Sequence, residues 1–153
     1  MAIITDDMIA IIGHAKLCFV ATVNPDGTPN LSPKASLMAR EDLLFFADIS
    51  SPRTVANLRR NPAIAINAVD IFARRGYRFS GVASVIGVEN PDYNLVAEWV
   101  WSINGRDYPV HDVVRVAVAE ALPLYSPAYE FGTGITEEGL REAFLLKYGV
   151  KQV

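Results

Sequence analysis

The chain has very few of the residues that build disulfides and metal sites. Its 153 residues include one cysteine and two histidines. The single cysteine, Cys18, excludes an intramolecular disulfide and a cysteine-rich zinc site. His14 and His111 have no cysteine or carboxylate at metal-ligand spacing, and a metal ion needs several such ligands together. The sequence therefore predicts no metal site, and it predicts that Cys18 is a small buried residue.

Long apolar runs and long basic runs are also absent. No apolar run reaches the length of a membrane span, and Asp6 and Asp7 lie where a signal peptide would carry positive charge. The net charge is −3, and the arginine pairs at 59–60 and 74–75 stand alone, whereas nucleic-acid binding needs clustered basic residues. We therefore expect a cytoplasmic protein that binds neither nucleic acid nor a membrane.

The signatures of several large enzyme classes are missing as well. The sequence has no G-x-S-x-G elbow, no glycine-rich phosphate loop and no pair of carboxylates typical of glycosidases. Hydrophobic residues make up 51% of the chain and charged residues 20%, which is ordinary for a globular protein with a large core. The length predicts one domain over residues 1–153, in which residues 126–153 form a C-terminal helical extension.

Hydrophobic spacing predicts a mainly β fold with helices between the strands. Helices are expected at 5–15, 52–60, 90–105 and 136–148. Six strands are expected at 17–23, 28–38, 43–48, 63–69, 77–88 and 113–124. The turn signals favour an antiparallel sheet that forms a small closed or split barrel over a doubly wound sheet. In the third helix Trp99 and Ile103 are expected on one apolar side, with Trp99 in the core, whereas the direction of Trp101 stays open.

The segment 28–38 is unusual because its two faces differ in polarity. The polar face consists of Thr28, Asn30, Ser32, Lys34 and Ser36, and the opposite face contains Leu31, Ala35 and Leu37. Pro29 and Pro33 lie on the apolar face, and each removes a backbone donor from the strand ladder. We therefore expect this strand at an edge or a bulge of the sheet, with backbone groups free for a ligand.

A buried strand is expected to end directly before a helix that begins with a cation. Ser50, Ser51 and Pro52 lead into Arg53 and Thr54. Helix N-termini favour anions, so Arg53 works against the helix dipole unless a negative group binds there. With three hydroxyl groups beside the arginine, we expect that group to be a phosphate. The alternative interpretation is an ordinary N-cap serine, a first-turn proline and a solvated arginine.

These two neighbouring features suit a single ligand. The polar strand face fits a flat ring with amide-like edges, the helix start fits a phosphate, and FMN has both ends. The segments TPNLSPKA at 28–35, LLFFAD at 43–48 and SPRTVANL at 51–58, followed by Asn61-Pro62, resemble the pyridoxamine 5′-phosphate oxidase-like, FMN-binding split-barrel superfamily. The resemblance covers residues 5–90 best, and the order of the segments carries it.

The resemblance implies a six-stranded antiparallel split barrel with flanking helices, FMN as the cofactor, and a homodimer with two FMN sites at the subunit interface. The helix start would hold the phosphate, the strand before it would pass along the cofactor, and residues 32–36 would face the flavin ring. An aromatic residue of the partner subunit is expected near the ring, with Trp101 and Tyr125 as candidates. The implied cofactor-binding residues are Ser32, Pro33, Lys34, Ala47, Asp48, Ser51, Arg53 and Thr54.

The resemblance does not extend to the substrate site of true pyridoxamine-phosphate oxidases. Ser32 stands where those enzymes carry an arginine, Leu37 lies near their lysine position, and Gly76 lies near their glutamine position. The C-terminal part also lacks their Trp and their Arg-Leu-His segment. We therefore expect an FMN-dependent oxidoreductase without specificity for vitamin B6. Two alternatives stay open: a related protein that binds a deazaflavin or haem, and a non-enzymatic module that stores or senses a flavin.

Overall fold

The computed structural model describes residues 3–150. Within that range the chain forms seven strands in one antiparallel sheet, and five helices. The strands are β1 (Cys18–Val23), β2 (Pro29–Lys34), β3 (Met38–Arg40), β4 (Leu43–Asp48), β5 (Ala63–Asp70), β6 (Arg75–Ile86) and β7 (Asp112–Tyr125). The helices are α1 (Asp6–Ala15), α2 (Pro52–Arg60), α3 (Pro91–Asn104), α4 (Ala128–Phe131) and α5 (Glu137–Lys147).

The sheet curls so that strands from both of its halves share one core. Its order is β2-β1-β5-β6-β7-β4-β3. Val20 of β1 and Phe46 of β4 lie in strands four positions apart in this order, yet both side chains are fully buried in the same hydrophobic cluster. A flat sheet would hold these two strands roughly 19 Å apart, since neighbouring strands are about 4.8 Å apart. The predicted mainly β, split-barrel fold is therefore confirmed.

The sheet has seven strands rather than the predicted six because the segment 28–38 forms two of them. β2 pairs with β1 at one edge of the sheet, and β3 pairs with β4 at the other edge. Residues 35–37 connect the two edges, and there the Ser36 hydroxyl accepts a hydrogen bond from the backbone N–H of Ala47 at 3.1 Å. Pro29 and Pro33 lie in an edge strand, as predicted, because an edge strand leaves one side of its ladder unpaired.

Both faces of β4 are buried, which explains its apolar sequence. Leu44 and Phe46 face the barrel core, and Phe45 and Ala47 pack with α3 in a second cluster. Consecutive side chains of a strand point to opposite faces, so residues 43–47 of β4 are apolar on both faces. The packing of α3 on β4 brings this helix close to the point where β4 leads into α2.

The C-terminal helices are attached to the rest of the protein by polar contacts. Arg141 of α5 donates to the buried carboxylate of Asp70 at 2.7 Å, and the Tyr129 hydroxyl donates to the Ala73 carbonyl at 2.6 Å. The predicted helix 136–148 corresponds to α5, and the part of the predicted extension at 151–153 lies outside the described residues.

Between residues 3 and 150, no helix combines the length and the apolar character needed to cross a membrane.

Candidate functional site

A pocket of about 460 Å³ lies between α3 and the region where β2 ends and β4 leads into α2. We call it the main pocket, and its volume is in the range of small-molecule binding sites. Five of the predicted cofactor-binding residues line it: Ser32, Pro33, Lys34, Ala47 and Ser51. The other lining residues are Ala35, Ser36, Ile49, Ser50, Trp99, Val100, Ile103, Asn104 and Tyr108.

The polar face of β2 is turned toward the protein, and its apolar face is exposed. Ser32 and Lys34 pair in register with Val20 and Cys18 of β1, which are both buried. Leu31, on the opposite face, is 65% exposed. Hydrophobic residues are normally the buried ones, so the two faces of β2 are inverted relative to an ordinary edge strand.

Lys34 is the one charged side chain among the described residues that line the main pocket. It is 8% exposed. Its Nζ donates to Ser32 Oγ at 2.7 Å and to the Pro33 carbonyl at 3.3 Å, and it lies 5.8 Å from the centroid of the Phe46 ring. Burial lowers the pKa of the Lys34 ammonium group, and the negative charge of Asp48 opposes part of that shift. The pocket therefore contains a desolvated hydrogen-bond donor.

The turn from β4 into α2 is built around Asp48, which is 6% exposed. Its carboxylate accepts hydrogen bonds from the backbone N–H and from the hydroxyl of Ser51, both at 2.9 Å. Its backbone carbonyl accepts a hydrogen bond from the N–H of His111 at 2.9 Å. Asp48 therefore shapes one end of the main pocket without lining it, and its contact with a cofactor stays a prediction.

The first turn of α2 combines an exposed cation with a buried hydroxyl. The side chain of Arg53 is exposed, and no hydrogen bond or ion pair joins that side chain to another residue in the range 3–150. Thr54 is 1% exposed, and its Oγ1 accepts a hydrogen bond from Asn30 Nδ2 at 3.4 Å. Neither residue lines the main pocket, but Ser50 and Ser51 do. Since these two serines directly precede the helix, the pocket is continuous with the helix start. Contacts of Arg53 and Thr54 with a phosphate stay predictions.

Behind Thr54, a buried network of amides and hydroxyls joins α2 to the sheet. Thr22 Oγ1 accepts hydrogen bonds from Asn30 Nδ2 and Asn57 Nδ2, both at 3.1 Å, and Asn57 also donates to Asn24 Oδ1 at 3.0 Å. Thr22 and Asn57 are each 3% exposed, and buried polar groups need such partners. The network fixes α2 relative to β1 and β2, and thereby fixes the position of its first turn.

The sequence does not predict that α3 forms a wall of the main pocket. Trp99, expected in the core, does pack on the cluster beneath α3, but it also lines the pocket. Ile103, predicted on the same side of the helix, is 66% exposed and lines the pocket too. The i, i+4 spacing of these residues places them on one helix face. That spacing is the only sequence signal for the pocket wall. A helix face that packs in a core has the same spacing, so the sequence does not distinguish the two.

The two candidates for a partner-subunit aromatic do not line the main pocket of their own chain. Trp101 Nε1 donates to the Tyr108 carbonyl at 2.8 Å, and the guanidinium carbon of Arg106 lies 5.1 Å from the Trp101 ring. Tyr125, at the end of β7, is 58% exposed, and its ring lies 5.6 Å from that of Tyr129. Their contact with a ligand of the second subunit therefore stays a prediction.

Cys18 is a core residue, as the sequence predicts. Its side chain is 1% exposed, and burial raises the pKa of its thiol to about 11, so the reactive thiolate is disfavoured. In the part of the chain that the structure describes, no group of three or more His, Cys, Asp or Glu side chains is arranged to hold a metal ion.

Sequence comparison identifies the family of the chain. A family model described as pyridoxamine 5′-phosphate oxidase matches residues 4–125, which include the whole sheet and the main pocket. The chain belongs to the pyridoxamine 5′-phosphate oxidase family. The two C-terminal helices, α4 and α5, lie outside the matched residues.

Several solved structures share the fold of the chain. HupZ of Group A Streptococcus is 30% identical, and the match covers 80% of this chain and 95% of HupZ with a TM-score of 0.70. An FMN-binding protein of Syntrophomonas wolfei is 15% identical over 78% of this chain and 84% of its own, with a TM-score of 0.68. An F420 reductase is 17% identical over 78% of this chain and 98% of its own, with a TM-score of 0.61. No curated protein sequence matches the chain.

Proposed function

We propose that this member of the pyridoxamine 5′-phosphate oxidase family is an FMN-dependent oxidoreductase. The observation that carries the proposal is the continuity of the main pocket with the first turn of α2. Ser50 and Ser51 line the pocket and lead directly into Pro52 and Arg53. One ligand can therefore have a planar ring in the pocket and an anionic end beside Arg53. FMN combines these two parts.

The hydrogen-bond donors at both ends of the site fit FMN. The Ser51 hydroxyl donates to Asp48 and does not cap α2, which leaves the first N–H groups of the helix for an anion. Arg53 adds a cation that can form charge-assisted hydrogen bonds to phosphate. Ser32 and Lys34 line the main pocket together with Trp99, Val100 and Ile103 of α3. This arrangement suits a ring whose edge carries carbonyl oxygens and ring nitrogens.

When bound, FMN supplies the transfer of electrons between a donor and an acceptor. The residues of the chain bind, orient and shield it. Arg53 would bind the phosphate, and Lys34 would donate a hydrogen bond to an acceptor atom of the ring. Trp99 and Tyr108 would cover the pocket and exclude water from it, which strengthens the electrostatic interactions inside.

We further propose that the protein is a cytoplasmic homodimer with its cofactor sites near the subunit interface. The outer surface of β1 and β2 is apolar, with Phe19 44% exposed and Leu31 65% exposed. With Ala21, Ala65, Asn67 and Arg78, these side chains line a groove of about 570 Å³. Exposed apolar patches of this kind mark protein–protein interfaces. Pro33 lies on the same exposed face of β2 as Leu31 and also lines the main pocket, so an interface on this surface would adjoin the pocket.

The proposed substrates are small-molecule electron donors and acceptors other than vitamin B6. Ser32 stands where pyridoxamine-phosphate oxidases carry an arginine, so the pocket lacks that cation for a substrate phosphate. The chain beyond β7 forms α4 and α5 and does not contain the Arg-Leu-His segment of those enzymes. A substrate would reach the ring beside Ile103, which lines the pocket and is 66% exposed.

Analysis of the cofactor tests the proposal directly. We expect the purified protein to be yellow, to release FMN that mass spectrometry identifies, and to bind FMN more tightly than riboflavin, because riboflavin lacks the phosphate. Size-exclusion chromatography with light scattering should give the mass of two chains. A colourless protein that does not bind added FMN would overturn the proposal, and release of a deazaflavin or haem would assign a different ligand to the site. Bound FMN that exchanges electrons with no donor or acceptor would favour a storage or sensing module.

A further inference from the structure

We propose that the ammonium group of Lys34 stabilises the negative charge of the reduced ring in the main pocket and thereby raises its reduction potential. This inference rests on the proposed FMN function. It assigns to one side chain a property that can be measured separately from cofactor binding and from turnover.

The first step of the argument is the burial of an ammonium group without a carboxylate in contact. Lys34 is 8% exposed. Burial of a charge is costly unless the charge is paired, yet no ion pair of up to 4.0 Å joins Lys34 to a carboxylate between residues 3 and 150. The negative charge that acts on Lys34, Asp48, is itself hydrogen-bonded to Ser51. The positive charge of Lys34 is therefore left for a ligand.

The second step is the count of hydrogen-bond donors. An ammonium group has three N–H donors. Two of them have neutral acceptors within the chain, Ser32 Oγ at 2.7 Å and the Pro33 carbonyl at 3.3 Å. The third has no hydrogen-bond acceptor among residues 3–150. Because Lys34 lines the main pocket, an acceptor atom of a bound ring can satisfy it.

The third step is the isolation of this charge within the pocket. The rest of the described lining consists of neutral residues, among them Ala47, Trp99 and Val100. Nζ contacts only neutral groups, Ser32 Oγ and the Pro33 carbonyl, and lies 5.8 Å from the centroid of the Phe46 ring, so the charge is surrounded by neutral protein rather than by water. Electrostatic interactions are stronger in such a medium than in water. A charge that develops on a ring in this pocket therefore interacts strongly with Lys34.

Reduction changes the charge of the ring in the direction that Lys34 favours. Two electrons from a donor and one proton from water convert the neutral oxidised ring to a reduced ring with one negative charge. The nearby cation binds this anion more tightly than it binds the neutral ring, and the difference in affinity appears as a higher reduction potential. Removal of the cation should therefore lower the potential, even where the oxidised cofactor still binds.

The experiment compares the reduction potential of bound FMN in Lys34→Met, Lys34→Arg and the wild type, by dithionite titration with a reference dye. Lys147→Met removes an exposed lysine of α5 and serves as the matched control. We expect Lys34→Met to weaken the binding of reduced relative to oxidised FMN at least tenfold, which lowers the potential by about 30 mV or more. Lys34→Arg, which keeps the charge, and Lys147→Met should stay close to the wild type.

The outcomes separate this inference from the proposed function. Failure of the wild type to bind FMN would overturn both. FMN binding with an unchanged potential in Lys34→Met would overturn only the role of Lys34. A change confined to the KM of a substrate would also overturn it, and would assign the third N–H of Lys34 to the substrate instead. If Lys34→Met does not fold, the wild type still decides the matter. Its bound FMN should have a potential at or above that of free FMN, and a clearly lower value would overturn the inference.

Discussion

The carboxylate of Asp48 accepts two hydrogen bonds from Ser51, one from the backbone N–H and one from the hydroxyl, each at 2.9 Å. These bonds close the turn between β4 and α2. They also occupy the hydroxyl that would otherwise cap the helix, since Ser51 makes no side-chain cap bond to α2. One carboxylate therefore shapes the end of the main pocket and leaves the N-terminus of the helix open to an anion.

Replacement of Asp48 by alanine should destabilise the protein and weaken FMN binding. The substitution leaves the N–H of Ser51 without its acceptor, and loss of a bond of this kind at a helix start costs about 0.5–2 kcal/mol. Urea denaturation measures the loss in the free energy of unfolding, and titration measures the affinity for FMN. Ser51→Ala is the matched control: it keeps the bond from the backbone N–H and should cost less. Equal stability of Asp48→Ala and the wild type would contradict this account.

Replacement of Arg53 by alanine should weaken the binding of FMN and leave the binding of riboflavin nearly unchanged. A hydrogen bond to a charged group is worth about 1.5–3 kcal/mol, so the Kd for FMN should rise about ten- to hundredfold. Isothermal titration with both ligands isolates the phosphate contribution. Arg59→Ala removes an exposed arginine near the opposite end of α2 and should have little effect. If Arg53→Ala weakened the binding of riboflavin as much as that of FMN, Arg53 would not be the residue that binds the phosphate.

Much of the fold could be predicted from local sequence signals. Three signals depend only on neighbouring residues: the apolar run of β4, the caps of the helices and the prolines of β2. They therefore predict the order of the elements and the position of β2 at an edge of the sheet. The break at Ser36 could not be predicted, because it depends on the pairing of β2 and β3 with strands at opposite edges of the sheet. A hydrogen bond to Ala47, eleven residues away, leaves no local pattern.

The candidate site could be predicted on one side only. Ser32 and Lys34 attract notice because polar residues alternate along β2, whereas Trp99 and Ile103 have the spacing of any apolar helix face. The orientation of Leu31 toward solvent also runs against the rule that apolar residues are buried. Its explanation is the polar surroundings of the other face, where Asn30 bonds to Thr22 and Thr54. These hydrogen-bond partners lie in other elements, so no single segment of the sequence predicts which face of β2 is buried.

The emission of bound FMN should distinguish which aromatic residue contacts the ring. Tryptophan in van der Waals contact with a flavin quenches its fluorescence, and Trp99 lines the main pocket whereas Trp101 does not. We expect bound FMN to be strongly quenched, and Trp99→Phe to restore part of its emission in steady-state and lifetime measurements. Trp101→Phe, two positions along the same helix, is the control and should remain quenched. Recovery of the emission in Trp101→Phe alone would instead favour contact from the partner subunit.

Acid sensitivity should depend on Asp7, which joins α1 to β6. Hydrogen bonds from Arg75 and Tyr77 lower the pKa of Asp7 from 3.8 to about 2. Because the pKa of the folded state is the lower one, the ionised group stabilises the fold above about pH 4. This contribution is lost as the pH falls through about 2. The Asp7 side chain is 46% exposed, so screening by solvent limits the contribution to roughly 1 kcal/mol.

Urea denaturation of Asp7→Asn and the wild type at a series of pH values tests this dependence. We expect the variant to be less stable at pH 6 and the difference to narrow steadily from pH 4 downward, because protonation removes from the wild type the charge that the variant lacks. Asp6→Asn is the matched control, since it removes the same charge from the same helical turn, where no ion pair holds Asp6 to another residue of 3–150. Its effect should be smaller. A difference for Asp7→Asn that is the same at every pH would mean that the Arg75–Asp7 pair does not stabilise the fold through its charge.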